Sequence, residues 1–296
     1  MNNVAIFIGC VLIWGTTWLA ITWQLGPVAP EVSVSHRFLL AAAAIAAWCW
    51  LRGLPLRLRA AEHAQLALQG AAMYSVSYIL IYYAELHVTS GLVAIGYSAS
   101  PLLSALGAHL FLKQPVAPRV ALGALLGILG ISAVFWPEFA RIGRGANGVA
   151  LGALLTALAV LISNAGGLLA QRNHHRGLRG WPAMAWSMGY GGLVSLAAAL
   201  ALGRAYTIDT GAPYLLSLLY LTLLGTIVTF AGFLTLVGRI GAARASYVGV
   251  MAPVVALLVS TLFEGFAWHP LTVAGVAVSV AGNVLVLRAD APRAAS

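Results

Sequence analysis

Charge is what this chain has least of. Only 8% of its 296 residues are Asp, Glu, Lys or Arg, against roughly 25% in an ordinary soluble domain. So few charges cannot cover a water-exposed surface, and 61% of the residues are hydrophobic, so the chain reads as an integral membrane protein. Acids are scarcer still, seven against sixteen Lys and Arg, which leaves a net charge of +9. A basic balance signals nucleic acid when the cations cluster on one polar face. Here they stand singly in short connections, so the expected partner is the lipid bilayer and no nucleic acid. The two cysteines, Cys10 and Cys49, both lie inside apolar runs. That excludes a loop disulfide framework and leaves small buried hydrophobes. No Walker motif and no His-Glu-x-x-His occurs, so neither ATP hydrolysis nor a metal or other cofactor is expected. His174-His175 sit in a basic loop and read as solvated. The start Met1-Asn2-Asn3 lacks a basic region and no small-residue cleavage site follows, so the first apolar run reads as a membrane helix and not a removed signal.

What is present is a succession of apolar segments. A helix needs about 20 mostly apolar residues to span a bilayer, and ten such segments occur: Val4–Trp23, Val32–Leu51, Ala64–Ala84, Gly91–Leu112, Val120–Trp136, Val149–Ala170, Pro182–Leu202, Pro213–Leu236, Ala245–Phe263 and Leu271–Leu287. Six tryptophans at span ends (Trp23, Trp48, Trp50, Trp136, Trp181, Trp268) fit an aromatic belt, while Trp14 and Trp18 do not. With the N-terminus cytoplasmic, twelve of the sixteen Lys and Arg fall inside and only Arg37, Arg141, Arg144 and Arg204 outside. Lys113, Arg288 and Arg293 belong to the inside set. Five of the seven acids fall outside. The positive-inside rule therefore puts both termini in the cytoplasm.

The chain also contains one frame twice. Between Gly91 and Trp136 stand Pro101, Leu110-Phe111, Pro118, Gly123 and Gly130. Shifted by 152 positions, Pro253, Leu262-Phe263, Pro270, Gly275 and Gly282 fall on the same marks with no gap. Each copy covers five spans, and an odd number of spans inverts the second copy. The expected fold is all-α, with ten transmembrane helices as two inverted five-helix repeats, residues 1–140 and 141–296. Inverted repeats of this kind place a substrate site near the midplane between the halves and alternate access around it.

The first span reads Ile13-Trp14-Gly15-Thr16-Thr17 and the second opens His36-Arg37-Phe38. The fourth ends Leu110-Phe111-Leu112-Lys113-Gln114 and its counterpart Leu262-Phe263-Glu264-Gly265. In combination with the duplicated frame, this resembles the ten-helix EamA branch of the drug/metabolite transporter superfamily over essentially the whole chain. Lys113-Gln114 departs from the usual Gly-Glu pair at that turn. The resemblance implies an inner-membrane exporter of small metabolites. The tyrosine-rich third span is most similar to the aromatic amino acid exporters of the family.

Several residues are candidates for the transport path. Tyr74, Tyr78 and Tyr82 recur at i, i+4 and i+8, which makes one stripe, and each hydroxyl in hydrocarbon needs a partner or water. Tyr97 lies one turn before Pro101, which removes the bond to its carbonyl. The inverted copy offers Ser246 and Tyr247 before Pro253, and Phe230 at the position equivalent to Tyr78. Trp14 is the first span's candidate for lining the path. Asn164, with Ser163, is the polar pair at mid-depth in the sixth span; it either binds substrate or joins two helices. Arg37 lies about one turn inside its span and either snorkels, anchors a substrate carboxylate, or pairs with Glu31 or Glu85 as a gate. His109 reads as a helix-end residue at interfacial water. Gly123, Gly127 and Gly130, with Gly275, Ser279 and Gly282, form small-residue ridges. These pack the fifth and tenth spans within one molecule or across a homodimer.

No Asp or Glu lies deep in a span, which favours a facilitator or exchanger over proton antiport. Two other functions compete. An aromatic path also suits quaternary or aromatic cationic drugs, other amino acids, or nucleosides. Gly96-Tyr97-Ser98-Ala99-Ser100 is a near miss to a serine-nucleophile motif, but its last position is Ser where Gly is required, so the chain is not expected to be an enzyme.

Overall fold

A backbone in hydrocarbon must satisfy its own polar groups, and a chain without barrel-type alternation can do so only as helices. In a computed structural model, which describes residues 2–112, 118–141 and 147–287, no strand occurs among the described residues. The Lys113-Gln114 turn, Arg144, Arg288 and Arg293 lie outside them. Among the described residues eight helices are long and apolar enough to cross a membrane: Asn3–Thr22, Pro30–Leu51, Ala60–Glu85, Pro118–Pro137, Gly148–His175, Gly180–Ala201, Ala212–Ile240 and Pro270–Leu287. The ninth span is the shorter Tyr247–Phe263. The fourth is made of two pieces, Ser90–Tyr97 and Ser100–Leu112. The protein is thus an all-helical membrane protein of ten spans in two inverted repeats.

Local chemistry accounts for the helix ends and breaks. The Asn2 side chain accepts from the Val4 N–H and caps the first span. Gly53 and Gly203, at φ 64° and 66°, stop the second and seventh spans in a left-handed conformation that costs a residue with Cβ. Pro101 has no N–H for the Tyr97 carbonyl, and the fourth span breaks at Ser98-Ala99 just before it. Pro253, its counterpart, sits inside an unbroken helix.

The repeat is as plain in the backbone as in the sequence. The third and eighth spans each contain a π-helical turn, at Ala71–Val76 and Leu223–Val228, and the two differ by the same 152 positions (223 − 71 and 228 − 76). Thr226 and Thr229 hold the second turn, donating to the carbonyls of Leu221 and Leu224 five residues back. Packing is reciprocal as well. The first span packs on the eighth and ninth, and its counterpart, the sixth, packs on the third and fourth. The second packs on the seventh and the fifth on the tenth, each pair being its own image. In the last pair, an added Cβ on Gly123 would meet the Gly282 carbonyl at 2.6 Å and one on Gly130 the Gly275 carbonyl at 2.6 Å. Since Gly123 and Gly130 are the counterparts of Gly275 and Gly282, these crossed contacts put the pseudo-two-fold axis between the two helices. The small-residue ridges therefore face each other within one chain. Leu122, Leu125, Ile128 and Leu129 cover the exposed side.

Ten crossings bring both ends of the bundle to one membrane side, here the terminal face. Its opposite is the far face.

Candidate functional site

Charged and aromatic groups far from either face need a reason to be there, and in this fold they converge. Between the two repeats lies a cavity of about 510 Å³, within the size range of small-molecule sites. Trp14 and Trp18 of the first span, Tyr74 and Tyr78 of the third, Tyr97 of the fourth and Phe230 of the eighth form its aromatic wall. Ser104, Ser246, Val286 and Leu287, all toward the terminal-face ends of their spans, also line it. The cavity thus runs from mid-membrane toward the terminal face.

The π-helical turns build much of this wall. Tyr74 sits in the turn of the third span. The turn of the eighth leaves the Gly225 carbonyl to accept from the Trp14 indole N–H at 3.1 Å. Trp14 is thereby fixed, with its ring edge-on to Phe230 at 5.5 Å. Gly15 next to it allows the ninth span to approach: an added Cβ would lie 2.5 Å from the Val255 side chain and 3.2 Å from the Ala252 carbonyl. Trp18 leans on Tyr97 at 5.1 Å between centroids. The Tyr97 hydroxyl is buried and makes no well-formed hydrogen bond.

Arg37 also lines the cavity, and it does not snorkel: 3% of it is exposed. Its guanidinium lies 4.8 Å from the Tyr78 ring centre and 5.2 Å from that of Phe38. Nη2 donates to Thr226 at 3.4 Å, while Nε and Nη1 make no well-formed hydrogen bond, the Tyr82 hydroxyl being a polar neighbour of the guanidinium.

Three other sequence candidates stand outside the wall. Tyr82 is fully buried, and its hydroxyl donates to Gln24 at 2.6 Å instead of facing the cavity. The tyrosine stripe therefore contributes Tyr74 and Tyr78 only. Asn164 joins helices: its amide donates to the Ser100 hydroxyl and the Val160 carbonyl and accepts from Ser104 at 2.8 Å. Tyr247 follows Ser246 by one residue, about 100° round the helix, and only Ser246 reaches the cavity. Trp18, Ser100 and Ser104 line it without having been singled out. For Trp18 the signal was available, as a tryptophan away from the span ends.

Toward the far face, polar contacts tie the spans to one another. Besides Tyr82–Gln24, the Tyr83 hydroxyl donates to Glu31 at 2.8 Å. Glu264, at the end of the ninth span, accepts from the Ser90 N–H at 3.0 Å, the Ser90 hydroxyl at 2.5 Å and the Ser260 hydroxyl. The Gly91 N–H donates in turn to Ser260 at 2.8 Å. A carboxylate thus caps the N-terminus of the fourth span, where the helix dipole favours it. Glu264 and Ser260 shifted back by 152 positions become Leu112 and Ala108, so the terminal-face equivalent of this latch has no acid.

Ser98, the central residue of the serine near-motif, donates to the Ile95 carbonyl and pairs with Ser279 at 2.9 Å. It joins the fourth span to the tenth.

Comparison with known proteins agrees with this architecture. The model of the EamA-like transporter family matches twice, over residues 2–136 and 150–288. The chain is 25% identical to protein PecM of Dickeya dadantii over 89% of this chain and 84% of that one. It is 23% identical to an uncharacterized transporter of Archaeoglobus fulgidus over 94% and 96%. Protein PagO of Salmonella typhimurium is 30% identical over 44% of this chain, a match that spans 45% of PagO's length. A solved crystal structure shares the fold with a TM-score of 0.66 at 18% identity, covering 96% of this chain and 95% of the other.

Proposed function

The chain belongs to the EamA-like transporter family, and from that premise we propose that it exports small aromatic metabolites, aromatic amino acids first, across the inner membrane. The observation that carries this is the mid-membrane cavity with its wall of Trp14, Trp18, Tyr74, Tyr78, Tyr97 and Phe230. Flat rings stack on such a wall, and edge-to-face pairs are worth about 0.5–1.5 kcal/mol each beyond burial. The excess of Lys and Arg on the terminal face makes that face cytoplasmic. The cavity then loads from the cytoplasm, as export requires, and discharges when the far-face contacts part and the halves rock about the pseudo-two-fold axis. Residues 1–140 and 141–296 are the two rocking units. A cargo gradient drives the cycle, by facilitation or exchange.

Cationic drugs fit less well, because among the described residues no Asp or Glu lines the cavity and Arg37 does. The test is uptake into proteoliposomes of purified protein with tryptophan, phenylalanine, threonine and a quaternary amine in parallel, without an ion gradient. Uptake of the two aromatic amino acids and not of the others is the expected result. Uptake of the quaternary amine alone contradicts the reading, and uptake that waits for a pH gradient contradicts the coupling.

A further inference from the structure

A guanidinium buried away from water is costly unless anions or acceptors meet its donors. Arg37 is buried in this way, yet Nε and Nη1 make no well-formed hydrogen bond and meet no anion among the described residues. Its neighbours supply ring faces, Phe38 and Tyr78, and two hydroxyls, Thr226 at 3.4 Å and Tyr82. Glu85 acts on Arg37 through space, but among the described residues no carboxylate is in ion-pair contact with it. The open side of the guanidinium is the cavity.

Resting on the reading of this cavity as a transport site for aromatic cargo, we propose that Arg37 recognises a carboxylate on that cargo, and that the cargo class is aromatic carboxylates whose amine is dispensable. Tyr78 belongs to both halves of such a site, since its ring touches the guanidinium and forms part of the aromatic wall. A cargo ring stacked there brings a short side-chain carboxylate to Arg37, and a charge-assisted hydrogen bond replaces the missing partners. Among the described residues no acid lines the cavity to receive an ammonium group. The amine of an amino acid finds hydroxyls, ring faces and carbonyl oxygens there, all neutral groups, whereas the carboxylate meets a full positive charge.

The experiment is tryptophan counterflow in proteoliposomes, competed with phenylalanine, phenylpropionate and phenethylamine. Calorimetric titration of phenylpropionate and phenethylamine into the purified protein runs beside it. Phenylpropionate competes within a few-fold of phenylalanine. Phenethylamine, which lacks the carboxylate, is weaker by about ten- to a hundredfold, the range of one hydrogen bond to a charged group. Arg37→Gln abolishes that difference, and Arg37→Lys keeps its sign at reduced affinity; a merely structural arginine would leave the ratio unchanged. Phenethylamine binding as well as phenylpropionate overturns the proposal, as does an Arg37→Gln protein that still prefers the acid. Where Arg37→Gln does not fold, the ligand series on the native protein decides. Absent tryptophan counterflow with selective phenylpropionate binding removes the amino-acid reading and leaves Arg37's role standing. Binding of neither compound removes both.

Discussion

The far-face latch yields a prediction whose size follows from its atoms. The Glu264 carboxylate accepts three hydrogen bonds, two from Ser90 and one from Ser260. Glu264→Gln removes the charge, leaves one acceptor oxygen and turns the other into an NH2 donor, so at least one charge-assisted bond is lost outright and the remaining bonds become neutral. Such bonds contribute about 1.5–3 kcal/mol when dry. Glu264 is partly exposed, and solvent screening brings the expected loss to about 1–2 kcal/mol. If the latch holds only the closed far face, that loss raises the population open to that side by about five- to thirtyfold, since 1.4 kcal/mol is tenfold. Ile81 is 2% exposed and lines the cavity toward the far face, which makes it a reporter. In a background with Cys10 and Cys49 replaced by alanine, Ile81→Cys is labelled from the far side by a membrane-impermeant thiol reagent. Adding Glu264→Gln raises the labelling rate by the same factor. An unchanged rate in a protein that still melts cooperatively refutes the latch.

Other perturbations separate packing from transport. Gly130→Val drives a side chain into the Gly275 carbonyl and the Ser279 backbone and destabilises by about 1–3 kcal/mol. This is read as a lower thermal midpoint, while Gly9→Val, where an added Cβ meets nothing within 4 Å, leaves the midpoint unchanged. Asn164→Ala removes the amide that ties the sixth span to Ser100 and Ser104. It costs about 0.6–1.7 kcal/mol, the range of interhelical hydrogen bonds in membranes, with no change in the order of cargo preference; a changed order returns Asn164 to the binding site.

The fold was legible because hydropathy and the 152-residue shift are properties of the chain itself. Ten apolar segments and the Pro101/Pro253 and Gly123/Gly275 marks lead directly to an inverted repeat. The π-helical turns were not legible, since one extra residue per turn leaves the hydropathy unchanged. They nevertheless place Tyr74 and expose the Gly225 carbonyl that holds Trp14. Span depth shows that a polar group needs a partner but not which one. Tyr82 found Gln24, 58 residues away, and Asn164 found two serines on the fourth span. Arg37 sits near enough to a span end to snorkel. It stays buried because Tyr78, Phe38 and Thr226, 189 residues on in the last case, close around it, and that enclosure exists only in the folded bundle. Small-residue ridges read the same whether the partner helix is in the same chain or another. The crossed glycine contacts of the fifth and tenth spans place that partner within the chain.

The central claim is that the aromatic cavity between the repeats is the transport site. Its most direct test compares gradient-free tryptophan counterflow in two tyrosine variants of equal thermal stability. Tyr78→Ala removes a wall residue. Tyr190→Ala removes a tyrosine that stacks on Trp186 and hydrogen-bonds His63 away from the cavity. Counterflow lost in Tyr78→Ala and kept in Tyr190→Ala is the predicted result; counterflow kept in Tyr78→Ala with native affinity contradicts it.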